Sequence, residues 1–262
     1  MRLLAPLAPA GTPLTNRNPS VKLGAAALVS LAAFAPTGPL TPALLVLSLL
    51  VAAVAAGVRP GALWVRCRLA LYAAATVGLA NLAFAEVPPG SPVLLSLWDW
   101  PLTGAALTIG VTLALRVLTL AVAGLLFSAT TDPTDLADSL MRQLRVPARF
   151  AVGALAAYRL LPVLVEEWEL LTLARRARGI DAGWSPVARI GLFLSTVFAL
   201  LVGAVRRAER LATAMDARGF AAADARGRSS ARTQLVGRAD LGLLAGTGLV
   251  CAVTVLAGWA LG

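Results

Sequence analysis

From residue 103 to residue 129 the chain is built mostly of Leu, Val, Ala, Gly and Thr, and Arg116 is the one charge within it. A helix crosses the hydrocarbon core of a bilayer with about 20 mainly apolar residues, so this run alone directs the chain into a membrane. Comparable runs occupy 22–36, 40–58, 68–86 and 239–261, with Pro36, Pro39 and Pro42 crowding the junction of the first two. Composition points the same way: 58% of residues are hydrophobic and 14% charged, against roughly 25% charged in an ordinary soluble domain. The expected fold is all-α, a multi-pass membrane protein with about five transmembrane helices.

The charges orient these segments. Net charge is +10 and almost wholly arginine, Lys22 being the only lysine. Arg59, Arg66 and Arg68 fall between the second and third segments, while the turn after the third carries Glu86 and Asp99 and no cation. Cationic loops stay cytoplasmic, which places the N-terminus, with Arg2, Arg17 and Lys22, on the cytoplasmic side. Residues 132–238, holding sixteen of the 23 basic residues, fall on that side too. The expected division is an N-terminal membrane domain of four spans (1–131), a cytoplasmic region (132–238) and a C-terminal transmembrane helix (239–262). Met1 to Ser20 has only short, proline-broken apolar pieces, so it reads as retained rather than as a cleaved signal.

The cytoplasmic region opens with "TTDPTDLADSLMRQLRVP". Asp132 is a candidate N-cap, Pro133 suits the first helical position, Asp135 favours the first turn, and Arg142 and Arg145 suit the last carbonyls. A long helix follows from about Ala148 to Arg178, interrupted in pattern by Gly153 and Pro162, and stops at Gly179. A second begins at Ser185 and Pro186, runs to Arg218 and stops at Gly219. Both are apolar in their first halves, as in "IGLFLSTVFALLVGAV", and charged towards their ends. Such helices enter or lie along a membrane and then emerge into water. The stretch after Gly219, "AAADARGRSSARTQLVGRAD", reads as a basic linker.

The two long helices end alike. "LTLARRARGIDA" and "LATAMDARGFAA" align at an offset of forty: Leu171 with Leu211, Ala174 with Ala214, Ala177, Arg178 and Gly179 with Ala217, Arg218 and Gly219, and Ile180 with Phe220. Alanines three apart put a small-residue surface on one face of the last turn, and arginine beside it supplies a planar fork of donors suited to carboxylates. The plainer reading is a pair of cationic, glycine-capped helix ends at an anionic lipid surface. The shared register favours a paired docking device. The third Ala-Arg-Gly, residues 225 to 227, lacks the leucine register and reads as accidental, and Arg175, Arg176 and Arg226 read as membrane-surface charges.

With these two motifs the chain resembles the transmembrane T component of energy-coupling factor (ECF) transporters, including the cobalt-transport Q-type proteins. The resemblance covers most of the chain. It extends to "NRNPSVKL" before the first span, Asn81 in "ANLAFA", Arg116 in "LALRVL", "TTDPTDLADSL", and "YRLLPVLVEE" with Arg159, Pro162 and Glu166. It implies that the long helices are cytoplasmic coupling helices. Ala177, Arg178, Gly179 and Ala217, Arg218, Gly219 would dock into two ABC-type ATPase subunits. A small membrane S subunit would bind the substrate, a vitamin or transition-metal ion, and the whole would sit in a prokaryotic plasma membrane. ATP and magnesium would belong to the partners, with no cofactor on this chain, and Asn81, Arg116, Arg159, Pro162 and Glu166 would serve structure or coupling.

The remaining residues fit a chain without chemistry of its own. It has no histidine, which removes the usual zinc ligands and general bases, and no phosphate-binding loop of the G-x-x-x-x-G-K-[ST] type. Cys67 and Cys251 lie in separate apolar segments and read as unpaired. Arg116, mid-span, needs protein or water around it: Asn81, backbone carbonyls, or the hydroxyls of Thr112 and Thr119. Arg159 can serve carbonyls freed at Pro162, or pair with Glu166 or Glu167. Glu166, Glu167 and Glu169 read as a solvated or ion-paired face, and Gly242 to Gly246, "GLLAG", as a weak helix-packing motif. Two rival readings make demands of their own on the sequence. A membrane enzyme acting on anionic lipid or isoprenoid phosphates would need Asp132, Asp135 and Asp138 for magnesium. A membrane anchor for nucleic acid would need aromatic residues interleaved with the arginines.

Overall fold

A computed structural model describes residues 12, 14–36, 38–58, 60–84, 93–97, 100–180, 183, 185–220 and 235–261. Among them run eight helices and one short hairpin: α1 (Pro19–Ala33), α2 (Leu40–Ala55), α3 (Pro60–Phe84), β1 (Val93–Leu97), β2 (Trp100–Thr103), α4 (Gly104–Thr130), α5 (Pro133–Gln143), α6 (Ala148–Ala177), α7 (Pro186–Ala217) and α8 (Arg238–Leu261). The protein is an all-α, multi-pass membrane protein. Its hairpin, unforeseen in the sequence, pairs β1 and β2 antiparallel with Val93 opposite Thr103 and Leu97 opposite Trp100. Glu86 and Asp99, the acidic turn of the topology argument, lie outside the described residues.

Among the described residues four helices are long and apolar enough to cross a membrane: α4, α6, α7 and α8. α3 has the length, at 25 residues, whereas α1 and α2 are shorter apolar helices of 15 and 16 residues. That α6 and α7 qualify reflects the apolar first halves already visible in their sequences. The chain divides into two compact units, Met1–Ser139 with Gln234–Gly262, and Leu140–Thr233.

In the first unit α3 packs along α4 through two glycines. A Cβ added at Gly110 would stand 3.0 Å from the Gly78 carbonyl oxygen and 3.1 Å from Leu82 Cγ, and one at Gly78 would stand 3.1 Å from Ala114 Cβ. Helix backbones approach this closely in membranes only over small residues. Gly242 and Gly246, marked in the sequence for such packing, have nothing within 4 Å of an added Cβ. Four-residue glycine spacing on one helix says nothing about which partner arrives, and here the glycines that meet lie on different helices. Ala53, Ala56, Cys67, Val122 and Leu126 form one buried cluster, and Val29, Ala33, Leu45, Ala123 and Cys251 another. The two cysteines are therefore free and buried apart from each other.

Two long-range polar sets tie the N-terminal ends of α1 and α8 to the end of α4. The Asn18 N–H donates to Asp240 Oδ1 at 3.2 Å, and Lys22 Nζ donates to the Thr130 carbonyl at 2.6 Å and the Thr15 carbonyl at 3.2 Å. Lys22 is buried, and a cation on the last carbonyls of α4 complements that helix's dipole. Next along the chain, Asp132 caps α5: the Thr134 N–H donates to its Oδ1 at 2.7 Å, with Pro133, Asp135 and Arg142 at the expected helix positions.

Candidate functional site

The repeated tripeptide takes the same backbone form twice. α6 closes on Ala177, Arg178 follows as cap residue with φ −88° and ψ 7°, and Gly179 turns left-handed at φ 70°. The Gly179 N–H donates to the Arg176 carbonyl and the Ile180 N–H to the Arg175 carbonyl, both at 3.0 Å. At the end of α7 Arg218 has φ −90° and ψ 10°, and Gly219 has φ 75°. The Gly219 N–H reaches the Asp216 carbonyl at 2.9 Å, and the Phe220 N–H the Met215 carbonyl at 3.0 Å. These crossed bonds are the Schellman cap, whose left-handed residue favours glycine and whose next residue favours an apolar side chain.

The cap explains two of the shared letters and leaves the others. Glycine is there for its φ, and Ile180 and Phe220 occupy the apolar position after it. Nothing in capping calls for alanine at 174, 177, 214 and 217, or arginine at 178 and 218. All six of these residues are exposed, and neither arginine side chain makes a hydrogen bond or ion pair with any described residue. Each helix end thus presents a small-residue surface with a free guanidinium, suited to a partner's carboxylates and carbonyls.

α6 and α7 are braced against each other away from these ends. Glu167 and Arg207 form a two-pronged ion pair, with Arg207 Nη1 donating to Glu167 Oε2 at 2.8 Å and Nη2 donating to Oε1. Trp168 meets Phe193 edge to face, ring centroids 5.5 Å apart. Arg175 Nη1 donates to the Leu192 carbonyl at 3.0 Å, Ser195 Oγ at 2.7 Å and Thr196 Oγ1 at 2.5 Å. Stepping back along α6 from Arg175 to Glu167 moves forward along α7 from Thr196 to Arg207, so the helices run in opposite senses. Each member of the ion pair stands eleven positions before its own motif arginine, about 16 Å along a helix.

Arg175 corrects the sequence reading, which made it a membrane-surface charge; its half-buried side chain spans the two helices instead. Arg176 and Arg178 are exposed as expected, and Arg226 lies outside the described residues. Of the acidic trio, Glu167 is paired with Arg207, while Glu166 and Glu169 are exposed. Nothing in the sequence marked the Glu167–Arg207 pair, because which positions of two antiparallel helices meet is set by their packing. Pro162 is carried inside α6 without a break in the helix.

The membrane residues resolve differently. Arg116 Nη2 donates to the Ala35 carbonyl at 2.7 Å, its buried Nε makes no hydrogen bond, and Asn81, half-buried in α3, is not its partner. The hydroxyls offered as alternatives are turned elsewhere: Thr112 Oγ1 donates to the Thr108 carbonyl at 2.6 Å and Thr119 Oγ1 to the Leu115 carbonyl at 2.8 Å.

Residues 10–228 match the family model of CbiQ, described as a cobalt transport protein. Among curated relatives, the energy-coupling factor transporter transmembrane protein EcfT of Acidaminococcus fermentans is 32% identical over 166 residues, 59% of this chain and 60% of that protein. Those of Limosilactobacillus fermentum, 31% over 134 residues and 47% and 50% of the two chains, and Bacillus subtilis, 29% over 143 residues and 52% and 54%, are similar in extent. The chain spans about half the length of the curated relatives it matches. These relatives are named as transporter membrane components and not as enzymes. The chain belongs to the CbiQ cobalt transport family, as a transmembrane T component of the energy-coupling factor type.

Proposed function

We propose that the chain is the coupling subunit of an ECF-type ABC importer, passing ATP-driven movement from two ATPase subunits to a substrate-binding S subunit that takes up a vitamin or transition-metal ion. The observation that carries this is the pair of identically capped helix ends, each with a free arginine on a small-residue face. Ala177, Arg178 and Gly179 dock into one ATPase groove, and Ala217, Arg218 and Gly219 into the other. ATP and magnesium are held by the ATPases, none by this chain.

The long helices also need company. Along α6 and α7 only Ala151 and Thr196 are buried, while Val187, Ile190, Phe193, Leu194, Phe198 and Leu201 are between 55% and 77% exposed. Apolar surface on this scale is covered by lipid or by a partner. The cluster on α7's first half suits the S subunit and bilayer, and the charged ends suit the ATPases. With N-terminus and motifs on the cytoplasmic side, nucleotide-driven closure of two ATPases changes the force on two braced rods.

The test is co-purification with the ATPase pair, comparing the unaltered chain with Arg178→Glu, Arg218→Glu and the double variant. Each single change is expected to weaken association at least about tenfold, the loss typical of breaking a charged interface contact, and the double change to abolish it. Full association and full transport in the double variant would sink the docking assignment.

A further inference from the structure

We infer that α1 and α2 form a re-entrant hairpin, entering and leaving the bilayer on one face, and that Arg116 is the positioning residue that holds its tip inside the membrane. This concerns the membrane unit alone and stands or falls apart from the docking of the ATPases.

Length comes first. At 1.5 Å per residue, 15 and 16 residues reach about 22 and 24 Å, short of a hydrocarbon core of about 30 Å. Neighbouring helices then mark the depth. The base of the hairpin lies at the C-terminal end of α4, through Lys22 on the Thr130 carbonyl, and at the N-terminal end of α8, through Asn18 on Asp240. The tip lies against the middle of α4 and the upper part of α8. The Ala35 carbonyl meets Arg116, Thr119 Oγ1, whose proton goes chiefly to Leu115 within α4, lies 3.3 Å from the Pro42 carbonyl, and Thr41 Oγ1 donates to the Thr254 carbonyl at 3.1 Å.

Both neighbours continue past that point. α4 extends from Arg116 back to Gly104, about 18 Å further, and α8 from Thr254 on to Trp259, about 8 Å further. These extensions are apolar and face outward: Leu107, Ile109, Val111 and Leu256 are each more than 40% exposed, and Trp259 is 70% exposed. Tryptophan near a helix end marks the membrane–water interface. The far face of the bilayer therefore lies beyond the tip. The tip's own chemistry agrees, since no Asp, Glu, Lys or Arg occurs between Lys22 and Arg59, and Leu31 and Phe34 are 72% and 63% exposed.

A turn at that depth must satisfy its backbone without water. The Phe34 and Ala35 N–H groups donate back to Leu31 and Ala32, and the Ala43 N–H to the Pro39 carbonyl. Pro36, Pro39 and Pro42 have no N–H to satisfy, which explains why three prolines crowd this junction. The Ala35 carbonyl, just past the end of α1, accepts from the guanidinium of Arg116. An intramembrane arginine thereby gains a half-buried acceptor, and the turn gains a donor.

The test is cysteine accessibility in a Cys67→Ala, Cys251→Ala background, using vesicles of both orientations and a membrane-impermeant maleimide. Gly38→Cys probes the tip, where an added Cβ meets nothing within 4 Å. Gly90→Cys, in the sequence between α3 and α4, is the reference thiol, and the vesicle orientation in which it labels is read in the same experiment. From the face that labels Gly90→Cys, Gly38→Cys should react at least about tenfold more slowly, because only a hydrated thiolate attacks the reagent. Equal labelling from that face would mean that the hairpin spans the membrane and would overturn the proposal. Adding Arg116→Met should raise Gly38→Cys labelling about tenfold from either face with Gly90→Cys unchanged, and Arg116→Lys should restore most of the protection. Protection that persists in Arg116→Met would remove Arg116 from the positioning role.

Discussion

At the motif, one tripeptide divides its work between neighbouring residues. Gly179 and Gly219 hold positive φ with open space where a Cβ would go, so alanine there is opposed by backbone strain alone, about 1–2 kcal/mol per site. Gly179→Ala or Gly219→Ala should therefore lower thermal stability in detergent by that amount while ATPase association, measured at a temperature where the variant is folded, falls only modestly. Arg178→Glu and Arg218→Glu should do the reverse: stability within about 0.5 kcal/mol of the parent, as for an exposed side chain without partners, and association lost. A glycine variant that abolished docking at full stability would show that the cap itself is the recognised surface.

Helix against helix, the sequence showed which residues were unusual but not where they would meet. The G-x-x-x-G of α8 lies open, whereas Gly78 and Gly110 face each other across α3 and α4. Gly110→Leu should drive these helices apart and lower the melting temperature by several degrees, in line with the 1–3 kcal/mol of a typical overpacked site; Gly242→Leu should change it little. Between α6 and α7, removing Arg175 takes away a donor to three oxygen atoms. Arg175→Ala should broaden the distance distribution between spin labels at positions 177 and 217 without shortening either helix. For Glu167 and Arg207 the charge swap is the sharper probe: Glu167→Arg and Arg207→Glu should each broaden that distribution, and the two together should narrow it again. Failure of the swap to recover the narrow distribution would leave the ion pair incidental to the bracing.

At the scale of the whole chain there are two compact units, one a membrane unit and the other carrying two braced helices that end in the paired motifs. Its behaviour as a transporter part should be all or nothing in the partners: a double Arg178→Glu, Arg218→Glu chain should insert in the membrane normally yet support no substrate uptake in cells that depend on it. The sequence alone determined the membrane class, the limits of α5, α6 and α7 to within a residue or two, the Asp132 cap and both motifs. Those features are encoded locally, in apolar run length, proline and glycine placement and the first and last turn of each helix. What only the tertiary structure decided is which distant groups satisfy one another. Arg116 takes the Ala35 carbonyl rather than Asn81, Glu167 takes Arg207 on the neighbouring helix, and Arg175 leaves the lipid surface for α7. Which acceptor a donor finds depends on how helices far apart in the chain are packed, and that packing is not written in any local run of sequence.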